Sequence, residues 1–388
     1  MKIKQITFFD TSNNYGQILQ CFALQKQMEL LGHEVELIRY NPTKGNSGVR
    51  IPSGLGVITS VFRKISEGRL KEKVLSKRNE KLDRVRDFNG FALGHIKCTK
   101  IYSGIDSLKE DPPKADAYIC GSDQIWGKSL MEVDNAAWFL DFGDDDVKRI
   151  AYAPSIGRNY TEEELKLFKK YLSRFHMISV REESAAQQCQ EVGFDAQVVV
   201  DPTLLLEAKE YLALASKIKK SEQHYLFAYI LNIKKKEDIS WSEISRYVVN
   251  SNLDVRAVYS SGYFQAREII PGVDSECATV EEWIACIRDA HCVITTSFHG
   301  TVFCILLHKP FIVFSLPDRT RANDRVMTLL NSLGLDKRLY RSSISFEKQM
   351  NEPIDWEDVD KRLKLFKSHS MRFLNQALEV KDMGDMRE

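Results

Sequence analysis

Residues 292–314, Cys-Val-Ile-Thr-Thr-Ser-Phe-His-Gly-Thr-Val-Phe-Cys-Ile-Leu-Leu-His-Lys-Pro-Phe-Ile-Val-Phe, constrain this chain most. A β-branched run, a polar turn, a short apolar helix and a second buried run follow one another, which reads as strand, turn, helix and strand. A unit of this kind belongs to a parallel sheet. Its first turn lies at the carboxyl edge, where open α/β folds bind ligands and helix amides attract anions. That turn carries Ser297 and His299, with Gly300 where the chain bends. His299 is therefore placed for chemistry on an acidic substrate. The alternative is a histidine that caps the helix or fills a hydrogen-bonding slot.

The same alternation runs through the whole sequence. Residues 3–9 form a strand pattern, Thr11-Ser-Asn-Asn-Tyr-Gly16 makes a turn, and Cys21, Leu24, Met28 and Leu31 form one apolar stripe at helical spacing. Gly32 stops that helix and residues 35–38 resume a strand, as a βαβ unit requires. Further strands are expected at 115–120, 149–153, 177–181, 197–200, 225–231, 255–259, 292–296 and 311–314. Capping boxes at Thr161-Glu-Glu-Glu164 and Thr279-Val-Glu-Glu282 start two of the intervening helices. A chain of 388 residues is too long for one ordinary core. The expected fold is α/β, with two Rossmann-like domains facing across a cleft. The strand at Met177 is read as the first of a second series. This divides the chain into an N-terminal domain over 1–172, a C-terminal domain over 173–350 and a helical segment over 351–388.

Composition narrows the function. Lys plus Arg number 55 against 54 for Asp plus Glu, so no whole-protein field argues for nucleic acid. The eight cysteines include no CxxC pair, and Cys21, Cys120, Cys286, Cys292 and Cys304 fall inside apolar patterns, where a thiol acts as a small hydrophobe. Neither zinc nor redox chemistry is indicated. No stretch approaches the ~20 apolar residues of a membrane-crossing helix, and the start lacks a signal-peptide pattern, so a cytoplasmic protein is expected. Residues 43–56, rich in Gly, Ser and Pro, read as a mobile loop. The basic tract at 63–86 suits a solvated helix face, or a surface lying on anionic lipid or over a diphosphate-bearing acceptor. Asp144-Asp145-Asp146 resembles the acidic metal motif of some sugar transferases, but its place after Gly143 reads better as a solvated loop.

Four turns fall at expected strand ends: 121–124, 181–184, 201–203 and 297–300. Arg181 ends an apolar strand, where a guanidinium holds a carboxylate or phosphate bidentately, or instead pairs with Glu182 or Asp201. The turn at Asn14-Tyr15-Gly16 either touches a ligand or supplies turn geometry. Arg319, Arg321 and Arg325 gather in a loop and helix start after the last strand, which suggests an anion site. The sequence contains no HExxH, Walker loop, GxGxxG or serine-hydrolase elbow.

Taken together, Asn14-Tyr15-Gly16-Gln17, Gly121-Ser-Asp-Gln-Ile-Trp126, Ser155-Ile-Gly157, Ser179-Val-Arg-Glu182, Asp201-Pro-Thr203, Thr296-Ser-Phe-His-Gly-Thr301 and the Arg325 helix resemble the polysaccharide pyruvyl transferases. The resemblance implies a GT-B-like fold, phosphoenolpyruvate as donor, and a cyclic pyruvate ketal formed on a sugar of a cell-surface polysaccharide or its precursor. The partners it implies are the donor and a saccharide acceptor, free or lipid-linked; a lipid-linked acceptor brings peripheral contact with the inner membrane face. It implies no cofactor beyond the donor and no metal. In this reading His299 is the acid and Asp123, exposed at the cleft, accepts a hydroxyl proton, with Asp201 as the second candidate. Arg181, Ser297, Gly300, Arg321 and Arg325 hold the donor, and Asn14, Tyr15 and Gln124 the acceptor. Many members carry Ser-Arg-x-His-Gly. Here Ser297 occupies the arginine position, so Arg181, Arg319, Arg321 or Arg325 has to supply that charge. Two other readings share the architecture: a glycosyltransferase using a nucleotide sugar, and a non-catalytic scaffold of polysaccharide assembly.

Overall fold

A computed structural model describes residues 1–8, 14–42, 85–233, 236–258, 273, 275–316 and 320–378. Within them β1 (Lys2–Ile6), β2 (Glu34–Asn41), β3 (Cys98–Ser103), β4 (Ala117–Cys120), β5 (Lys148–Ala151), β6 (Met177–Val180) and β7 (Gln197–Val198) form one parallel sheet in the order β3-β2-β1-β4-β5-β6-β7. A second parallel sheet, ordered β10-β9-β8-β11-β12, contains β8 (Tyr225–Tyr229), β9 (Asp254–Val258), β10 (Ser275–Glu276), β11 (Cys292–Thr295) and β12 (Phe311–Val313). The central strands β4, β8 and β11 are buried along their whole length, which is why they read as continuous apolar runs. Helices that bear on the site are α1 (Tyr15–Leu30), α2 (Glu162–Leu172), α3 (Glu183–Glu191), α4 (Val280–Asp289), α5 (Phe298–Leu306), α6 (Thr320–Ser332) and α7 (Trp356–Ala377).

The division expected at 172/173 falls inside the first sheet. β6 pairs with β5, Ile150 opposite Met177, and β7 pairs with β6, Val180 opposite Val198, so the sheet runs on to Val198. Apolar periodicity marks a strand without saying which sheet it joins. Here backbone pairing with β5 assigns β6, and the second sheet opens only at β8.

One apolar cluster joins the two halves. It takes Ile3, Leu19 and Tyr152 from the first, Trp283, Val293 and Phe303 from the second, and Phe373 and Leu374 from α7. α1 lies in this shared layer and packs against the turn at Pro202–Leu204 and against α5. It is consequently buried on nearly all sides rather than along one stripe, Gln20 and Gln25 included. Those amides are satisfied internally. Gln20 Nε2 donates to Thr7 Oγ1 (3.1 Å), and Gln25 Nε2 to the Lys97 carbonyl (2.9 Å).

The loop at 43–56 and the basic tract as far as Arg84 lie outside the described residues. Arg86, at the end of the tract, is fully buried rather than part of a solvated face. Asp144, Asp145 and Asp146 are exposed. No helix among the described residues is long and apolar enough to cross a membrane.

Candidate active site

In the first sheet the winding direction reverses between β1 and β4, and in the second between β8 and β11. Such a reversal leaves a crevice outside the carboxyl ends of the two strands. Asn14 and Gln17 follow β1, Asp123 and Gln124 follow β4, Asn232 follows β8, and Ser297 and His299 follow β11. All seven line one cavity of about 170 Å³, together with Arg325 of α6. The two crevices therefore open onto each other, and residues far apart in sequence share one small polar space.

His299 enters from the first turn of α5. Ser297 caps that helix, its Oγ accepting from the Gly300 amide (3.3 Å), and its own amide donates to Thr295 Oγ1 (3.0 Å). A Cβ on Gly300 would stand 2.5 Å from Thr295 Oγ1, so glycine here lets α5 close onto β11. The imidazole is 6 % exposed. Its Nε2 stands 3.5 Å from Asp201 Oδ2, and the two form an ion pair only when the ring carries its second proton.

Beneath the cavity lies a buried network of charge. Asp201 Oδ2 accepts from Arg181 NH1 (2.7 Å) and Ser122 Oγ (3.0 Å), and Oδ1 accepts from the Thr203 amide (3.0 Å) and Oγ1 (2.7 Å). Burial by itself would raise the Asp201 carboxyl, but His299, Arg181 and Thr203 outweigh it and hold it well below the usual carboxylate range. Asp123 is closer to the cavity, with Oδ1 3.6 Å from Arg181 NH2 and 3.8 Å from Arg325 NH1. Burial by itself would raise the Asp123 carboxyl, but Arg181, His299 and Arg325 together lower it by more, so it too is held below its ordinary value. Glu182 behaves oppositely. Burial pushes its carboxyl up more than Arg181 and the hydrogen bonds from Ser155 Oγ (2.8 Å) and the Ile156 amide (2.9 Å) bring it down. Withdrawal from bulk water and the neighbouring Arg181 lower the Arg325 guanidinium to about 10, which leaves it charged at neutral pH. The Phe298 ring holds both cations, with Arg181 4.5 Å and Arg325 5.6 Å from its centroid.

The decisive comparison is at the level of sequence family. The model of the polysaccharide pyruvyl transferases matches residues 14–318. The chain belongs to this family. No curated protein matches its sequence. Among solved structures it is similar to a putative UDP-N-acetylglucosamine 2-epimerase from Listeria monocytogenes, at 10 % identity over 98 % of this chain and 97 % of that one, with a TM-score of 0.54. UDP-N-acetylglucosamine 2-epimerase from Rickettsia bellii is similar at 9 % identity, over 97 % and 96 % of the two chains, with a TM-score of 0.52. At such identities the likeness establishes the fold, which is GT-B-like.

Within this family member the expected site residues divide. His299, Asp123, Ser297, Arg325, Asn14 and Gln124 all line the cavity. Asp123 is only 5 % exposed, not open at the cleft, because Arg181 and Arg325 enclose it. Arg181 lies one layer back from the cavity wall, where it pairs with Asp201. Gly300 serves packing. Tyr15 is fully buried, its hydroxyl donating to the Ala278 carbonyl (2.6 Å), and it does not line the cavity. Asn14 Oδ1 is engaged in capping α1, accepting from the Gly16 and Gln17 amides. Arg321 lies in the first turn of α6, and Arg319 is outside the described residues. Sequence reading overlooked Gln17 and Asn232 on the cavity wall. Gln17 sat inside a motif already noticed, whereas nothing local distinguishes Asn232.

Proposed function

We propose that this family member transfers a pyruvyl group from phosphoenolpyruvate to two hydroxyls of one sugar, forming a cyclic ketal and releasing phosphate. The observation that carries the reading is the size and charge of the cavity. About 170 Å³ is below the ~300–1,000 Å³ usual for larger small-molecule ligands. A three-carbon phosphorylated acid suits it better than a nucleotide sugar, and Arg325 with the α5 amino terminus offers charge and amides to an anion.

In this mechanism Arg325 binds the anionic donor and takes the place of the arginine missing at Ser297. His299 delivers a proton to the methylene carbon while one sugar hydroxyl attacks the adjacent carbon. Asp123, held ionised, accepts that hydroxyl's proton. The bond from the same carbon to the phosphate oxygen then breaks, phosphate departs beside Arg325 with the proton held on Asp123, and the second hydroxyl closes the ring as its proton returns to His299. Arg181 acts through Asp123 and Asp201 rather than on the donor. No cofactor enters this chemistry. On this reading the protein works in the cytoplasm on an acceptor that is free or lipid-linked at the membrane face.

The test is phosphate release with phosphoenolpyruvate and a panel of galactoside and other glycoside acceptors, with mass spectrometry for the added pyruvyl group. His299→Ala should lower turnover by roughly 10²- to 10⁴-fold while donor affinity holds within a few fold. Undiminished turnover would remove His299 from the acid role. Thermal stabilisation by nucleotide sugars and not by phosphoenolpyruvate would favour a glycosyltransferase instead.

A further inference from the structure

Three residues of the Asn14-Tyr15-Gly16-Gln17 turn have visible work: Asn14 caps α1, Tyr15 docks on the second half of the chain, and Gln17 lines the cavity. We propose that the fourth, Gly16, is a positioning residue that seats the His299 imidazole, so that docking the first sheet's α1 against α5 sets the proton donor. The proposal rests on the reading of His299 as the acid.

A Cβ built on Gly16 would lie 2.1 Å from His299 Nδ1, 2.4 Å from its Cγ and 2.8 Å from its Cβ. Such approaches are far inside van der Waals contact, so the ring and any side chain at this position exclude each other. Gly16 lies inside α1 in an ordinary helical conformation, so space and not backbone freedom demands glycine. A side chain here would push the ring off its seat toward the cavity that it lines. Asp201 Oδ2 stands 3.5 Å from Nε2, and the Phe298 ring lies edge-on at 5.2 Å.

The backbone that meets the ring is itself held firmly. Asn14 Oδ1 accepts from the Gly16 amide (3.1 Å) and the Gln17 amide (3.3 Å). The Tyr15 ring stacks on Trp283 of α4 at 5.3 Å and 7°, and its hydroxyl donates to the Ala278 carbonyl (2.6 Å). Neighbours on either side of Gly16 thus fix it relative to the sheet that carries His299. The first half of the chain supplies the seat and the second half supplies the imidazole, which makes the acid geometry a property of the docked pair.

The experiment is a double-mutant cycle on the full chain, with Gly16→Ala, His299→Ala and the combination. Gly16→Ala should lower kcat about 100-fold, the cost of a displacement on the order of 1 Å at a reacting group. The phosphoenolpyruvate Kd, measured by calorimetry, should stay unchanged within error. Gly16→Ala should also lower Tm by several degrees in the native chain and by clearly less in the His299→Ala background, where only the contact at 2.8 Å remains. Equal loss of Tm in both backgrounds, or a fall in kcat matched by a fall in donor affinity, would overturn the proposal. The stability cycle needs no turnover. Coupled Tm losses in a native chain that fails to consume phosphoenolpyruvate would sustain the seat and defeat the reading of function.

Discussion

Asp201 and Arg181 show how much of this site is scaffolding at the residue scale. Both side chains are at most 1 % exposed, and the carboxylate takes hydrogen bonds from three residues. Removing one partner of such a pair leaves an uncompensated charge, a loss of about 3–5 kcal/mol. Arg181→Ala should therefore lower unfolding free energy by that amount in urea titrations, and a change below about 1 kcal/mol would show that the pair is not holding the fold. The pH dependence follows from the depressed carboxyl of Asp201. Its stabilisation is fully present above the ordinary aspartate value, about 3.9, and is lost as pH falls from there toward the folded-state value. Asp201→Asn should flatten the fall of the urea midpoint between roughly pH 5 and pH 2. Asp123 adds a different signature. Its backbone sits at φ 68 and ψ −179, a region disfavoured for any residue with a Cβ, and is held there by the Ser155 amide donating to its carbonyl (2.8 Å).

At the scale of single elements, the start of α2 was plain in the sequence and its fastening was not. Thr161 Oγ1 accepts from the Glu164 amide (3.3 Å), and Glu164 Oε2 accepts from the Thr161 amide (3.1 Å). The same carboxylate also accepts from Arg158 NH1 (2.8 Å) and NH2 (2.5 Å) and from the Leu130 amide (3.1 Å). Arg158 chiefly, with the two backbone amides, lowers Glu164 from an ordinary value of 4.5 to about 2. The folded-state value is depressed, so the stabilisation is present above pH 4.5 and is lost as pH falls toward 2. Glu164→Gln should lower stability by about 1–2 kcal/mol at neutral pH, solvent screening at Arg158 reducing the full effect, and by much less near pH 2. Urea unfolding at both pH values measures this, and an equal loss at both would exclude the ionised carboxylate as the cause.

Across the whole molecule the shared apolar cluster binds the two sheets into one unit. Tyr15 stands at its centre, between Trp283 (5.3 Å), Tyr229 (5.9 Å) and Phe88 (4.9 Å). Each half also has a core of its own, but one face of each sheet is covered only by the shared cluster, so the native chain should unfold in one calorimetric transition. Tyr15→Ala should cost about 3–5 kcal/mol and separate the transition into two. Tyr15→Phe should cost only about 0.5–1.5 kcal/mol, since it loses the bond to Ala278 and keeps the ring. Two transitions in the native chain would show that the halves are independent.

Local pattern was enough to read the strands other than the edge strands β3 and β10, the capping boxes at Thr161 and Thr279, and the turns that carry Asp123 and His299. Each of these depends on alternation, spacing or turn chemistry within about a dozen neighbours. Packing between distant segments decided the rest. It put β6 in the first sheet, buried α1 on nearly all sides, turned Tyr15 onto Trp283, and enclosed Asp123 between two guanidinium groups. It also brought Gly16 against His299. No local rule contains those contacts, because they arise only where the carboxyl edges of two sheets meet.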